Sequence, residues 1–263
     1  MSNEQYITFI GAGNVAWHLA PALDNAGYSV REVYSHNKRN ADALVNRLYQ
    51  AEVVKDLDFS LSESRFFMLA VPDDVIPEVA QEIILPDQAV LLHTSGARPM
   101  GDLTYAASDY MGVFYPLQTF SKTKKINLGE VPICIEANDK SLEQDLLSMG
   151  RTISNKVIKI DSEHRKSLHV GAVFACNFTN HLLKISQDIL NKHHLDFTLL
   201  GPLIVETINK SLELGPANAQ TGPAKRHDFE TLDSHMEVLK RDEDLTEIYR
   251  LITQHIIDTY PQE

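Results

Sequence analysis

Phe9-Ile10-Gly11-Ala12-Gly13-Asn14-Val15-Ala16 continues the apolar run 6–10 and leads into Trp17-His18-Leu19-Ala20. A strand that passes through Gly-x-Gly-x-x-Ala into a helix is the dinucleotide-binding fingerprint. Gly11 permits the tight turn, Gly13 lets the backbone approach a pyrophosphate, and Ala16 keeps the helix close to the sheet. The helix N-terminus, beginning with the amides of Asn14 and Val15, offers free N–H groups and the positive end of the dipole to phosphates.

Outward from that turn, apolar runs alternate with amphipathic ones. Strands are expected at 6–10, 29–34, 66–71, 89–93, 111–115, 131–135 and 156–160. Helices are expected at 14–26, 40–49, 74–84 and 141–149. Such alternation argues for a parallel sheet covered on both faces. After Ile160 the pattern changes. Residues 162–194 hold no proline and a single glycine, Gly171, and their apolar residues recur at helical spacing. Further helices are expected at 198–214, stopped by Gly215-Pro216, and at 229–239 and 244–260. The fold class is therefore α/β: an N-terminal Rossmann doubly wound, mostly parallel sheet in 1–155, followed by an all-α C-terminal domain in 156–263.

The chain has 263 residues, 43% of them hydrophobic, and a formal net charge of −12. That charge, without a long basic run, argues against nucleic acid and against an anionic membrane surface as partners. Cys134 and Cys176 are the only cysteines, too few for a disulfide framework, and each reads as a small apolar side chain. The first five residues lack a signal-peptide pattern, and no apolar run reaches membrane-spanning length, so a cytoplasmic location is the expectation. His193 and His194 match no zinc spacing, and no metal is expected.

An NAD-selective site places an acid about 20 residues beyond the glycines. Here that place holds Ser35, followed by Asn37, Lys38 and Arg39. Hydroxyl, amide and guanidinium groups donate to a 2′-phosphate that a carboxylate would repel, and Arg39 can do so through two parallel bonds. The reading is NADP(H) over NAD(H). The bland alternative, solvated charges at a helix start, is disfavoured by the dipole.

Val71 and Pro72, beyond a strand's carboxyl end, are expected to line the cofactor. Thr94 and Ser95, with Gly96 beside them, can bond cofactor ribose or substrate. His93 reads as structural. Gln118 and Thr119 follow another strand end, and Gln118 is a candidate substrate contact. His169 and Asn177 recur on one helix face. Histidine's ordinary pKa suits proton donation or acceptance, and Asn177 can orient a carbonyl or imine. Packing of polar groups between helices is the equal alternative for both, whereas His181 reads as structural. The turn-rich stretch 215–228 offers Thr221, Arg226 and Asp228, with Arg226 suited to a carboxylate.

Together these segments resemble the Rossmann-like NADP oxidoreductases with a C-terminal helical domain of unknown function. The likeness rests on 11–16, 93–97, Tyr115-Pro116-Leu117-Gln118-Thr119-Phe120, 169–177 and 215–223. More distantly the chain is similar to pyrroline-5-carboxylate reductases, deazaflavin-dependent NADP reductases and the 6-phosphogluconate dehydrogenase superfamily. The resemblance implies a homodimer formed through the helical domain and an active site between domains. Hydroxyacid dehydrogenases of that superfamily carry Lys followed four residues later by Asn. Here Lys166 is followed by Val170, so that chemistry does not transfer, and His169 and Asn177 stand in its place. The expected activity is hydride transfer to or from a small carbonyl, imine or hydroxyl substrate. The alternative is a non-enzymatic NADP(H)-binding regulator.

Overall fold

The computed structural model describes residues 5–261. Residues 1–4, on which most of the leader expectation rests, lie outside the described residues. The chain divides into two compact units, Met1–His181 and Leu182–Glu263.

In chain order the first unit runs β1 (Ile7–Ile10), α1 (Asn14–Asn25), β2 (Val30–Tyr34), α2 (Lys38–Val45), β3 (Glu52–Val54), β4 (Phe66–Leu69), α3 (Ile76–Glu82), β5 (Val90–His93), β6 (Tyr110–Pro116), β7 (Ile133–Ala137), α4 (Lys140–Ile153), β8 (Val157–Lys159) and α5 (Ser162–Ala172). The eight strands form one sheet in the order β3-β2-β1-β4-β5-β6-β7-β8. Strand order reverses between β1 and β4, which pair in parallel from Ile7↔Phe66 to Ile10↔Leu69. All pairings are parallel except β6 with β7. Only a 3₁₀ turn, Leu128–Glu130, lies between those two strands. Without a helical crossover the chain returns antiparallel.

Alternate residues of each strand serve opposite faces. Phe9, Phe66, Met68 and Leu92 pack with Leu19 and Leu23 of α1, Leu44 of α2 and Leu142 and Leu146 of α4. Ile10, Phe67, Leu69 and Leu91 pack on the other face with Ile76 and Val79 of α3 and with Leu103. Burial on both faces is why these strands read as continuous apolar runs.

The expected strands appear within two residues at each end. The edge strand β3 was not expected. It is short, and Glu52 breaks its apolar pattern. The helix expected at 40–49 starts and ends earlier, at Lys38 and Val45. Helix α1 tolerates Pro21. Proline lacks the N–H that would bond Trp17 O, and the Arg47 guanidinium donates to that carbonyl instead while stacking over the Trp17 ring at 4.1 Å.

After α5 the chain takes π-helical turns over Val173–Phe178 and then forms α6 (Thr179–Lys192), so the long helix expected at 162–194 is interrupted. The division between units falls within α6. The second unit continues through a 3₁₀ turn at Phe197–Leu200, α7 (Gly201–Leu214), α8 (Pro216–Ala219), α9 (Phe229–Leu239) and α10 (Glu243–Thr259). Pro202 occupies the first turn of α7, where its missing N–H costs no bond. Gly215, at φ 80°, ends α7, and Pro216 starts α8 within a stretch expected to be loop. Helix α7 buries no side chain within one chain, and Leu203, Val205 and Leu212 (81% exposed) stand on its surface. Among the described residues no helix is long and apolar enough to cross a membrane.

Candidate functional site

At the end of β1, Gly11 adopts φ 105°, and its amide donates to Tyr34 O at 2.8 Å. A Cβ at Gly11 would be driven into the carbonyl of Ala70, so only glycine lets β1 and the end of β4 lie this close. Gly13 is the exposed N-cap of α1, and no side chain caps the helix there. The first amides of α1 therefore face outward at the strand-order reversal, where open α/β sheets bind their ligands. Ala16 is fully buried against the sheet.

Beside this turn, Ser35 is half-buried and His36 exposed at the end of β2. Asn37 is the N-cap of α2, its side chain accepting the Asn40 amide at 3.4 Å. Lys38 and Arg39 occupy the exposed first turn of α2, which carries no acidic residue. Val71 is half-buried, and the exposed Pro72 begins the 3₁₀ turn Asp73–Val75 after β4.

Beyond β5 the hydroxyls are committed inward. Thr94 donates to Leu69 O at 3.2 Å. Ser95 Oγ accepts from the amides of Ala97 and Arg98 at 3.1 and 3.0 Å. Both residues are buried and shape the loop that carries Gly96. His93 is fully buried, with Nδ1 accepting the Ser95 amide at 3.1 Å. Burial, then the Arg165 charge, pushes the His93 pKa down to about 3, so its ring is neutral at pH 7.

Gly96 leaves room for two rings. A Cβ there would stand 2.5 Å from His169 Nδ1 and 2.6 Å from Tyr115 Cζ. Tyr115 Oη and His169 Nδ1 are 3.1 Å apart, and the rings meet edge to face. Tyr115 is the penultimate residue of β6, which runs parallel to β5, so the pair sits at the same carboxyl edge as the Gly11 turn. Burial, reinforced by Cys134 and Asp73, pushes the Tyr115 pKa up to about 12 and keeps the phenol protonated. Sequence reasoning singled out His169 but treated Tyr115 only as the head of a loop. A lone tyrosine at a strand's carboxyl end was the available signal.

Arg165 lies one turn before His169 on α5. The Arg165 side chain is buried. Its Nη1 pairs with Glu136 Oε2, and its Nη2 donates to Arg98 O at 2.5 Å. Asn177 lies exposed on the π-helical stretch. The wider π turn brings the eight-residue spacing from His169 to about two whole turns. Gln118 is exposed, with Oε1 accepting the Thr119 amide at 2.8 Å. In the second unit Thr221 and Arg226 are exposed, and Asp228 caps α9.

Family models match a Rossmann-like domain over residues 3–109 and a domain of unknown function, DUF2520, over residues 131–256. No curated protein matches. Among solved structures, a Bacteroides fragilis protein described as a "putative NADP oxidoreductase" is 37% identical. The match covers 97% of this chain and 98% of that one, with a TM-score of 0.89. A Thermotoga maritima protein is 21% identical over 97% of this chain and 100% of its own, with a TM-score of 0.77. A reductive aminase from Aspergillus terreus, solved with NADPH and ethyl levulinate, shares the fold at 12% identity. That match covers 98% of this chain and 95% of the aminase, with a TM-score of 0.73. With one relative matched nearly end to end and both domain models placed in order, the chain belongs to the family that joins a Rossmann-like domain to DUF2520.

Proposed function

We propose that the chain is an NADP(H)-dependent oxidoreductase acting on a small carbonyl, imine or hydroxyl substrate. The observation that carries this reading is the open Gly11–Gly13 turn at the sheet's strand-order reversal, with uncapped helix amides behind it. The residues fit a dinucleotide. The amides at Gly13, Asn14 and Val15 bond the pyrophosphate, and Ser35, Asn37 and Arg39 bond a 2′-phosphate. Val71 and Pro72 line the nucleotide, and Thr94 and Ser95 hold the loop on its far side. A bound nicotinamide supplies or takes up the hydride. His169 handles the proton, Asn177 orients the substrate, and Gln118 contacts it. Residues 1–155 serve the nucleotide and 156–263 the substrate. The Bacteroides fragilis relative's description and the NADPH in the reductive aminase structure support the cofactor assignment.

Calorimetric titration with NADPH and with NADH tests the reading. NADPH is expected to bind about ten- to a hundredfold tighter, the worth of a charge-assisted Arg–phosphate contact. Arg39→Glu is expected to erase that preference. Equal affinities in the parent chain would remove the roles of Ser35 and Arg39. Binding of neither nucleotide would remove the whole assignment.

A second copy of the chain covers the face of α7 on which Val205, Ile208 and Leu212 recur at helical spacing and stand exposed. Light scattering is expected to report twice the mass of one chain, and the mass of a single chain would refute the homodimer.

A further inference from the structure

We propose that Tyr115 is the positioning residue that fixes His169 in the tautomer carrying its proton on Nε2. The inference rests on the redox reading above for its purpose and on the geometry around Gly96 for its substance.

Tyr115 is buried, and its hydroxyl stands 3.1 Å from His169 Nδ1. Among the described residues that nitrogen is the one hydrogen-bond partner of Tyr115 Oη. Two arrangements satisfy the distance. In the first, the phenol O–H donates to the lone pair of Nδ1, and the imidazole proton sits on Nε2. Every polar group of the pair that burial would penalise is then used. In the second, Nδ1–H donates to the phenol oxygen, and the tyrosine proton is left without an acceptor. A buried donor without a partner costs about 1–3 kcal/mol. The first arrangement wins. The raised Tyr115 pKa agrees, because a phenol that holds its proton stays a donor.

The surroundings hold the pair in register. Gly96 walls both rings with bare backbone, so neither has a side chain to slide past. Leu168 packs into the small cluster of Val113, Tyr115 and Cys134. Arg165 ties the first turn of α5 to Glu136 and to the Arg98 carbonyl. With Nδ1 engaged, Nε2–H is the group that His169 can offer to the oxygen or nitrogen of a substrate. Tyr115 acts only through the imidazole, as the orienting group does when a histidine's second nitrogen carries out the chemistry.

The test is nitrogen NMR on the full-length protein with ¹⁵N-labelled histidine, at a pH where imidazoles are neutral. His169 is assigned by its disappearance in His169→Gln. The expected spectrum has Nδ1 unprotonated and Nε2 protonated. In Tyr115→Phe, which keeps the ring against Gly96, the ratio of the two tautomers is expected to fall about fivefold, the worth of one hydrogen bond. An Nδ1–H tautomer in the parent overturns the proposal without recourse to any variant. So does an unchanged ratio in Tyr115→Phe. Titrating the same labelled samples with NADPH separates the two levels. Loss of nucleotide binding in the parent defeats the redox reading, whereas the tautomer decides the role of Tyr115.

Discussion

A Gly11→Ala chain is expected to lose NADPH binding by more than about a hundredfold and to unfold more readily than the parent. Two costs add. Alanine disfavours the φ of 105° found at this position, by about 1–3 kcal/mol for a residue held in such a region. Its Cβ also enters the space of the Ala70 carbonyl, where neighbouring strand ends leave little freedom to move. Relief requires the ends of β1 and β4 to part, which shifts the amides that face the pyrophosphate. Gly13→Ala separates binding from folding. Gly13 is exposed with an ordinary φ of −79°, and a Cβ there meets Ala70 O at an unstrained 3.8 Å. Replacement is expected to change stability by no more than about 1 kcal/mol, the gain through the unfolded chain being offset by alanine's poor fit at an N-cap. Yet the same Cβ obstructs the approach of a pyrophosphate to the backbone. Denaturant titration and NADPH calorimetry on both variants read the two effects. NADPH affinity unaltered in Gly13→Ala would show that the turn does not hold the nucleotide.

The contrast between those glycines marks what a sequence displays. Spacing alone announces the turn, because the fingerprint is local and each glycine answers a local backbone need. The central strands are equally legible: Phe66–Leu69 is buried on both sides, and such a strand has no polar residue to obscure it. Beyond local pattern the signal fades. Strand β3 has three residues at a sheet edge, too few to declare a period. The π-helical stretch Val173–Phe178 differs from α-helix only in which carbonyl each amide chooses, and its side chains carry no mark of that choice. Thr94 and Ser95 advertised hydroxyls, but the direction in which those hydroxyls point is set by Leu69 and by the loop's own amides. The Tyr115–His169 pair spans 54 residues and exists only because β6 ends beside the Gly96 loop while α5 starts after β8.

Arg165→Met is expected to lower the stability of the first unit by about 3–5 kcal/mol, the usual cost of leaving one member of a buried ion pair alone. Sequence gave this arginine no weight, since a charge on the first turn of a polar-looking helix is ordinarily solvated. In the fold it is buried, and among the described residues its loss leaves the Glu136 carboxylate with the Ser162 hydroxyl alone, at 2.9–3.0 Å. Ser162 in turn accepts the Met100 amide at 3.1 Å, so the pair, the start of α5 and the β5 loop form one network. Arg165→Met with Glu136→Leu is expected to recover part of the loss, because two apolar groups need no partners. Urea titration of the parent, both single variants and the double variant gives the coupling, and simple additivity would refute a shared network. The same network sets an acid response. The unfolded His93 takes up a proton near pH 6.5, whereas the folded one resists until about pH 3. Across that window the unfolded state binds more protons, so stability is full above pH 6.5 and declines as pH falls toward 3. Each unit of pKa difference is worth about 1.4 kcal/mol. Burial is the main cause and the Arg165 charge the next, so Arg165→Met is expected to shallow the decline without removing it. An acid slope as steep in Arg165→Met as in the parent would mean that the guanidinium does not reach the buried ring.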